Sequence, residues 1–141
     1  MNRFVRKLTF KNSLNKAPYD ILIVDDSKYI IELLTKIFTL KGYKCNAVRD
    51  YPSAMNELNN NKPRLIFLDV NMPDINGYEF CKNIKSSEKH KDILVYYLTG
   101  TSQSEISIKT LETKADGFIT KPFDLSDFND VFEYINLKKD S

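Results

Sequence analysis

Short apolar runs alternate along this chain with stretches whose apolar residues recur at helical spacing. Ile21-Leu22-Ile23-Val24, Leu65-Ile66-Phe67-Leu68 and Val95-Tyr96-Tyr97-Leu98 are unbroken runs, and Phe118-Ile119-Thr120 is a shorter one. Runs of this kind read as strands buried on both faces. The pattern predicts strands over 20–24, 43–48, 64–68, 93–98 and 117–120. After Ser27, an N-cap residue, Ile30, Leu33, Leu34, Ile37 and Leu40 form one helical stripe, and Gly42 ends that helix. A second helix is expected over 51–60, with Pro52 in its first turn and Ala54, Met55 and Leu58 inward. A loop over 72–77 leads to a third helix carrying Phe80, Cys81 and Ile84. A fourth, over 102–113, would face inward through Ile106, Ile108 and Leu111. The fifth, over 124–137, would use Leu125, Phe128, Val131, Phe132 and Ile135. Five strand–helix units imply an α/β fold, a parallel sheet with helices on both faces.

The chain has 141 residues, enough for one domain with its own core. No run approaches the roughly 20 apolar residues of a membrane span, and the N-terminus lacks the apolar region of a secretory signal. The two cysteines, Cys45 and Cys81, lack metal-ligand spacing and read as small buried side chains, and reduced thiols fit a cytoplasmic protein. Charge changes the picture more. Residues 1–19 hold five basic residues (Arg3, Arg6, Lys7, Lys11, Lys16) and no acid, whereas the rest holds 16 basic and 19 acidic residues. A mildly acidic domain thus carries a basic N-terminal extension, residues 1–18. Phe4, Val5, Leu8 and Phe10 leave open a disordered tail, a short helix or a strand there. Five basic residues are weak grounds for membrane or nucleic-acid contact, and direct nucleic-acid binding is not expected. The only histidine, His90, reads as a solvated loop residue.

Chemistry concentrates where the strands end. Asp25-Asp26 follow the first run, Asp69 the third, Thr99-Gly100 the fourth and Lys121-Pro122 the fifth. In an open parallel sheet the ligand site lies at the carboxyl ends of the strands. One edge would therefore gather three carboxylates, a hydroxyl and an ammonium. Each Asp alone could be a helix N-cap. Crowded together they repel unless a hard cation intervenes, and Mg²⁺ takes carboxylate, phosphate and water oxygens.

These residues carry a resemblance. Asp25-Asp26-Ser27, Leu68-Asp69 followed by Asn71-Met72-Pro73 and Gly77, Leu98-Thr99-Gly100, Ala115-Asp116-Gly117-Phe118 and Thr120-Lys121-Pro122-Phe123 stand in order. The intervals are 43 residues from Asp26 to Asp69, 30 to Thr99 and 22 to Lys121. Over about residues 19–138 the chain resembles the response-regulator receiver domain of two-component signalling, in a stand-alone form similar to the chemotaxis receivers. The resemblance implies a flavodoxin-like doubly wound sheet of strand order 2-1-3-4-5 with five helices, followed by a short tail over 139–141. It also raises the expectation of a cis Lys121–Pro122 bond.

The resemblance further implies that Asp69 accepts a phosphoryl group from a histidine kinase or histidine phosphotransfer protein. Asp26, Asp69 and the backbone carbonyl of Asn71 would bind Mg²⁺, with Asp25 assisting through water. Lys121 would pair with the phosphoryl oxygens, and Thr99 would move to hydrogen-bond them while Phe118 swings inward. Asn71 and Thr101 would flank the path of the water that removes the phosphoryl group. The reporting surface would be residues 102–138, binding a downstream protein and open to homodimer formation through its fourth-helix, fifth-strand, fifth-helix face. The expected function is a single-domain response regulator, a phosphoacceptor switch rather than an enzyme. A fragment of a longer regulator or hybrid kinase is one alternative. A haloacid-dehalogenase-like phosphatase is another, disfavoured because Asn71 stands where that family has its second Asp. A receiver-like module that is never phosphorylated is a third, disfavoured by the intact Asp26, Asp69, Thr99 and Lys121.

Overall fold

The computed structural model describes residues 18–73 and 76–139. Five strands, β1 (Ile21–Val24), β2 (Cys45–Val48), β3 (Leu65–Asp69), β4 (Leu94–Thr99) and β5 (Gly117–Thr120), form one parallel sheet in the order β2-β1-β3-β4-β5. The helices are α1 (Lys28–Leu40), α2 (Tyr51–Asn60), α3 (Gly77–Ser86), α4 (Gln103–Thr113) and α5 (Asn129–Lys139), the last preceded by a 3₁₀ turn over Leu125–Phe128. This is the flavodoxin-like doubly wound arrangement. Residues 1–17 of the basic extension lie outside the described residues, as do residues 74–75 of the loop before α3 and 140–141 of the expected tail, whose first residue, Lys139, ends α5.

Two-residue alternation along the strands divides the core. Leu22, Val24, Ile66, Leu68, Val95 and Tyr97 pack with side chains of α2, α3 and α4. Ile21, Ile23, Leu65, Phe67, Leu94, Tyr96 and Leu98 pack with α1 and α5 on the other face. There Phe38, Phe67, Phe128 and Phe132 form an aromatic pile, with Phe38 at 5.2 Å from Phe67 and 5.7 Å from Phe128 between ring centroids. Burying each such side chain contributes about 1.5–3 kcal/mol.

Helix phase corrects part of the expected core. In α1 the inward residues are Leu34, Ile37 and Phe38, while Leu40 is 84% exposed. At about 100° per residue, Leu40 falls beyond the edge of the face that Leu34, Ile37 and Phe38 share, in the last turn of the helix. In α4, Ile106 and Thr113 are buried, whereas Ile108 and Leu111 are 58% and 82% exposed. Seven residues separate Ile106 from Thr113, two nearly whole turns, so a threonine occupies the inward position. Met55 and Leu125 are also exposed, and Tyr51 rather than Met55 fills the core beneath α2. Leu125 lies outside the last helix because Asp124 and Asp127 close a capping box around the 3₁₀ turn.

His90 is not solvated. It is 7% exposed, with Nε2 3.0 Å from the Leu58 carbonyl and Nδ1 3.4 Å from Ser87 Oγ. The loop between α3 and β4 folds back over the C-terminus of α2, where Lys89 Nζ also donates to the Asn59 carbonyl at 3.2 Å. These side chains occupy carbonyls that the end of a helix leaves without partners. Cys81 is buried as expected, and Cys45 is half-buried with its thiol pushed up to about 12 by burial.

Strand register positions the site. Val24 pairs with Leu68 and Leu68 with Tyr97, so β1, β3 and β4 end together. Thr99 pairs with Thr120, and the Lys121 amide then donates to the Thr99 carbonyl at 2.7 Å. Asp69 is the last residue of β3, and Asp25, Asp26 and Lys121 lie just past the ends of β1 and β5. The Lys121–Pro122 peptide bond is cis.

Candidate functional site

Asp25, Asp26 and Asp69 each offer a carboxylate oxygen within 4.8 Å of the others. Their environments differ. Asp25 and Asp69 are 1% and 4% exposed, whereas Asp26 faces solvent. Asp25 Oδ1 accepts the Ser27 amide at 2.8 Å, and Ser27 Oγ in turn caps α1 by accepting the Ile30 amide at 3.3 Å. The turn between β1 and α1 is thereby held by two side chains that satisfy backbone donors. Arg49, just past the end of β2, fixes the same turn, donating to the Asp26 carbonyl through Nε at 3.2 Å and Nη2 at 2.9 Å.

Lys121 reaches across from the end of β5. Its Nζ lies 3.4 Å from Asp25 Oδ2 and 4.0 Å from Asp69 Oδ2. One ammonium among three carboxylates leaves the cluster net negative. Burial pushes the Asp69 carboxyl above its ordinary range. The Asn71 amide, donating to Oδ1 at 3.0 Å, opposes this, Asp25 adds to it, Lys121 opposes it and Asp26 adds the least. Desolvation outweighs the nearby donor and cation, which marks a site short of positive charge.

Thr99 is fully buried at the end of β4. Its Oγ1 accepts Asn71 Nδ2 at 3.3 Å and the Thr101 amide at 3.0 Å, and it donates to Thr101 Oγ1 at 2.7 Å. Phe118 is half-buried on β5. With Tyr96, Leu111, Asp127 and Asp130 it borders a shallow groove of about 470 Å³ between α4 and α5.

Two residues support the site: Tyr51, which carried no signal of function in the sequence, and Gly77, which stood in the matching motif without an assigned role. Tyr51, fully buried in the first turn of α2, donates its hydroxyl to the Asp69 carbonyl at 2.6 Å. Gly77 makes room for it. A Cβ there would stand 2.7 Å from Tyr51 Oη and 2.9 Å from Val70 Cα. The closeness of α3 to the end of β3 therefore rests on a residue without a side chain.

The response regulator receiver domain family matches residues 21–133. The chain belongs to this family. Over 103 residues the receiver is 39% identical to the phosphate regulon transcriptional regulatory protein PhoB of Escherichia coli, covering 73% of this chain and 45% of PhoB. It is 33% identical over 110 residues to the response regulator MprA of Mycobacterium sp. strain KMS, covering 78% of this chain and 47% of MprA. The receiver thus spans about half the length of these curated relatives. Among solved structures it is similar to the receiver domain of a signal transduction histidine kinase from Syntrophus aciditrophicus. That match has TM-score 0.76 and 33% identity, over 85% of this chain and 91% of that one. A response regulator from Chloroflexus aurantiacus aligns with TM-score 0.77 and 26% identity, over 84% and 97% of the two chains.

Receivers are phosphoacceptor switches that interact with histidine kinases and downstream targets. The acidic cluster of this receiver suits a hard divalent cation. Its donors are all oxygen, two of the three carboxylates are buried, and the one adjacent ammonium leaves negative charge uncompensated. Among the described residues, no helix is long and apolar enough to cross a membrane.

Proposed function

We propose that this receiver accepts a phosphoryl group on Asp69 from a phosphohistidine of a kinase or phosphotransfer protein. The observation that carries the reading is the buried Asp69 carboxylate with the Lys121 ammonium 4.0 Å away and Asp25 and Asp26 within 4.8 Å. A carboxylate oxygen of Asp69 attacks phosphorus and the P–N bond breaks. The electron pair of that bond leaves on the imidazole, which departs neutral with its other nitrogen protonated. Asp26, Asp69 and the Asn71 carbonyl are the proposed Mg²⁺ ligands, with Asp25 assisting. When bound, Mg²⁺ neutralises charge on the phosphoryl oxygens, which is most of what phosphoryl transfer requires. Lys121 would hold a phosphoryl oxygen, and Asn71 orients Asp69 through its backbone amide.

Phosphorylation would then bias residues 102–138, through Thr99 and Phe118, toward a form that binds a downstream protein. Moving such a surface from 1:99 to 99:1 takes about 5.5 kcal/mol of differential stabilisation. On this reading residues 19–138 are the receiver unit, working in the cytoplasm. The phosphatase alternative is disfavoured by Asn71, whose side-chain amide donates to Thr99 and offers no second carboxylate.

The test is incubation with acetyl phosphate and Mg²⁺ followed by intact mass. Wild type should gain a single phosphoryl group, while Asp69→Asn and Mg²⁺-free wild type should gain none. An unmodified but folded wild-type protein would overturn the reading.

A further inference from the structure

The groove between α4 and α5 has an apolar floor and an acidic rim. Leu111 of α4, Phe118 and Ile119 of β5 and Val131 of α5 line it, with Asp127 and Asp130 beside them. No lysine or arginine does. Leu111 is 82% exposed, and Ile108, one turn before it on α4, is 58% exposed. β5 is an outer strand, so its far edge has no strand neighbour. Asp127 and Asp130 are exposed, and neither has an ion-pair partner among the described residues. Such a face suits a partner that is apolar and basic together.

We propose that residues 1–17 dock on their own domain in this groove, with apolar side chains of the stretch 4–10 over Leu111 and Phe118 and basic ones at Asp127 and Asp130. The segment has the complementary chemistry. Arg3, Arg6, Lys7, Lys11 and Lys16 carry its charge, no acid offsets them, and Phe4, Val5, Leu8 and Phe10 are interleaved with them. It also reaches. The segment joins the domain ahead of β1, three strands from β5. At about 4.8 Å per strand that is roughly 14 Å, whereas the chain from Phe10 to Pro18 extends to about 26 Å. Parallel strands start at one end of a sheet, and the groove includes Gly117, the first residue of β5. Attachment over so short a distance gives an effective concentration of order millimolar, so a contact too weak to hold separate molecules together is occupied here. Charge alone would favour Asp25, Asp26 and Asp69, but that cluster lies at the other end of the strands, with two of its carboxylates buried. The docked segment would compete with a downstream protein for the α4–α5 face. This inference goes beyond the Asp69 reading and does not depend on it.

The experiment is NMR of the full chain labelled with ¹³C and ¹⁵N, without phosphoryl donor. Nuclear Overhauser effects are expected from the rings of Phe4 and Phe10 to the methyl groups of Leu111. Arg6→Glu combined with Lys7→Glu should remove them and shift the amide signals of Gly117, Phe118 and Ile119. Asp130→Lys, made from the groove side, should do the same. Glu32→Lys makes an equal change of charge at an exposed position on α1 and should leave the contacts in place. Absence of the contacts from wild type would overturn the proposal, as would their survival in Asp130→Lys or their loss in Glu32→Lys. A mixture of labelled and unlabelled chains should show no such effect between the two. A contact from the unlabelled rings to the labelled Leu111 would place a second copy's segment in the groove and overturn docking within one chain.

Discussion

The Tyr51 hydroxyl donates to the main-chain carbonyl of Asp69 at 2.6 Å, joining the first turn of α2 to the residue proposed to carry the phosphoryl group. Both atoms are buried. Tyr51→Phe keeps the ring against Phe80, 5.3 Å away between centroids, and removes only the donor. A buried carbonyl left without a partner costs about 1–3 kcal/mol. Urea denaturation should show a loss of that size, and phosphorylation by acetyl phosphate should slow because residue 69 is less firmly held.

Gly77→Ala tests the same junction from α3. Its new methyl group would meet Tyr51 Oη at 2.7 Å and Val70 Cα at 2.9 Å, and the second contact is backbone. Overpacking of this kind costs roughly 1–3 kcal/mol. Tyr51→Phe removes the first clash and leaves the second. The double variant should therefore lose less stability than the sum of the two single losses, as a thermodynamic cycle in urea would read.

Asp69 makes the metal-free protein pH-sensitive in a defined direction. Burial raises its folded-state carboxyl above the unfolded value. The folded state therefore binds more protons in that interval, and the contribution of Asp69 to stability falls as pH rises through it. Asp69→Asn should be more stable than wild type at pH 7 in chelator, with the advantage shrinking as the solution is acidified through the carboxyl titration. Added Mg²⁺ should stabilise wild type and narrow the gap. Chemical denaturation at several pH values, with and without Mg²⁺, measures both effects.

Lys85 joins three elements at the opposite edge of the sheet. Its Nζ donates to Asp116 Oδ2 at 2.7 Å and to the Ile93 carbonyl at 2.8 Å, and Asp116 Oδ2 also accepts the Val95 amide at 2.8 Å. The pair is mostly shielded from solvent. Lys85→Met should cost roughly 1.5–3 kcal/mol, the range for hydrogen bonds to charged groups, with phosphorylation at Asp69 proceeding at a near wild-type rate. A parallel loss of phosphorylation would contradict the separation of this pair from the site.

What the sequence revealed follows a physical line. Strand ends were legible because buried parallel strands are apolar throughout and stop at a polar residue, as Val24 does before Asp25 and Leu68 before Asp69. Parallel register then brings those ends together without further information. Features that depend on distant partners were not legible. Tyr51 beside Pro52 looks like any helix start, and its bond to Asp69 exists only because Gly77 lets α3 come close. His90 sits in a polar loop by composition, yet the loop folds onto the end of α2. Ile108 and Leu111 are apolar by type, but the phase set by Ile106 turns them outward and Thr113 inward.

Whether Asp69 carries the phosphoryl group can be read by borohydride trapping. Hydride reduces an acyl phosphate to the alcohol with release of phosphate, converting an aspartyl phosphate to homoserine. After reaction with acetyl phosphate and Mg²⁺, reduction and peptide mass spectrometry, homoserine is expected at position 69 and nowhere else. Homoserine at position 25 or 26, or a phosphorylated protein with an unreduced Asp69, would contradict it.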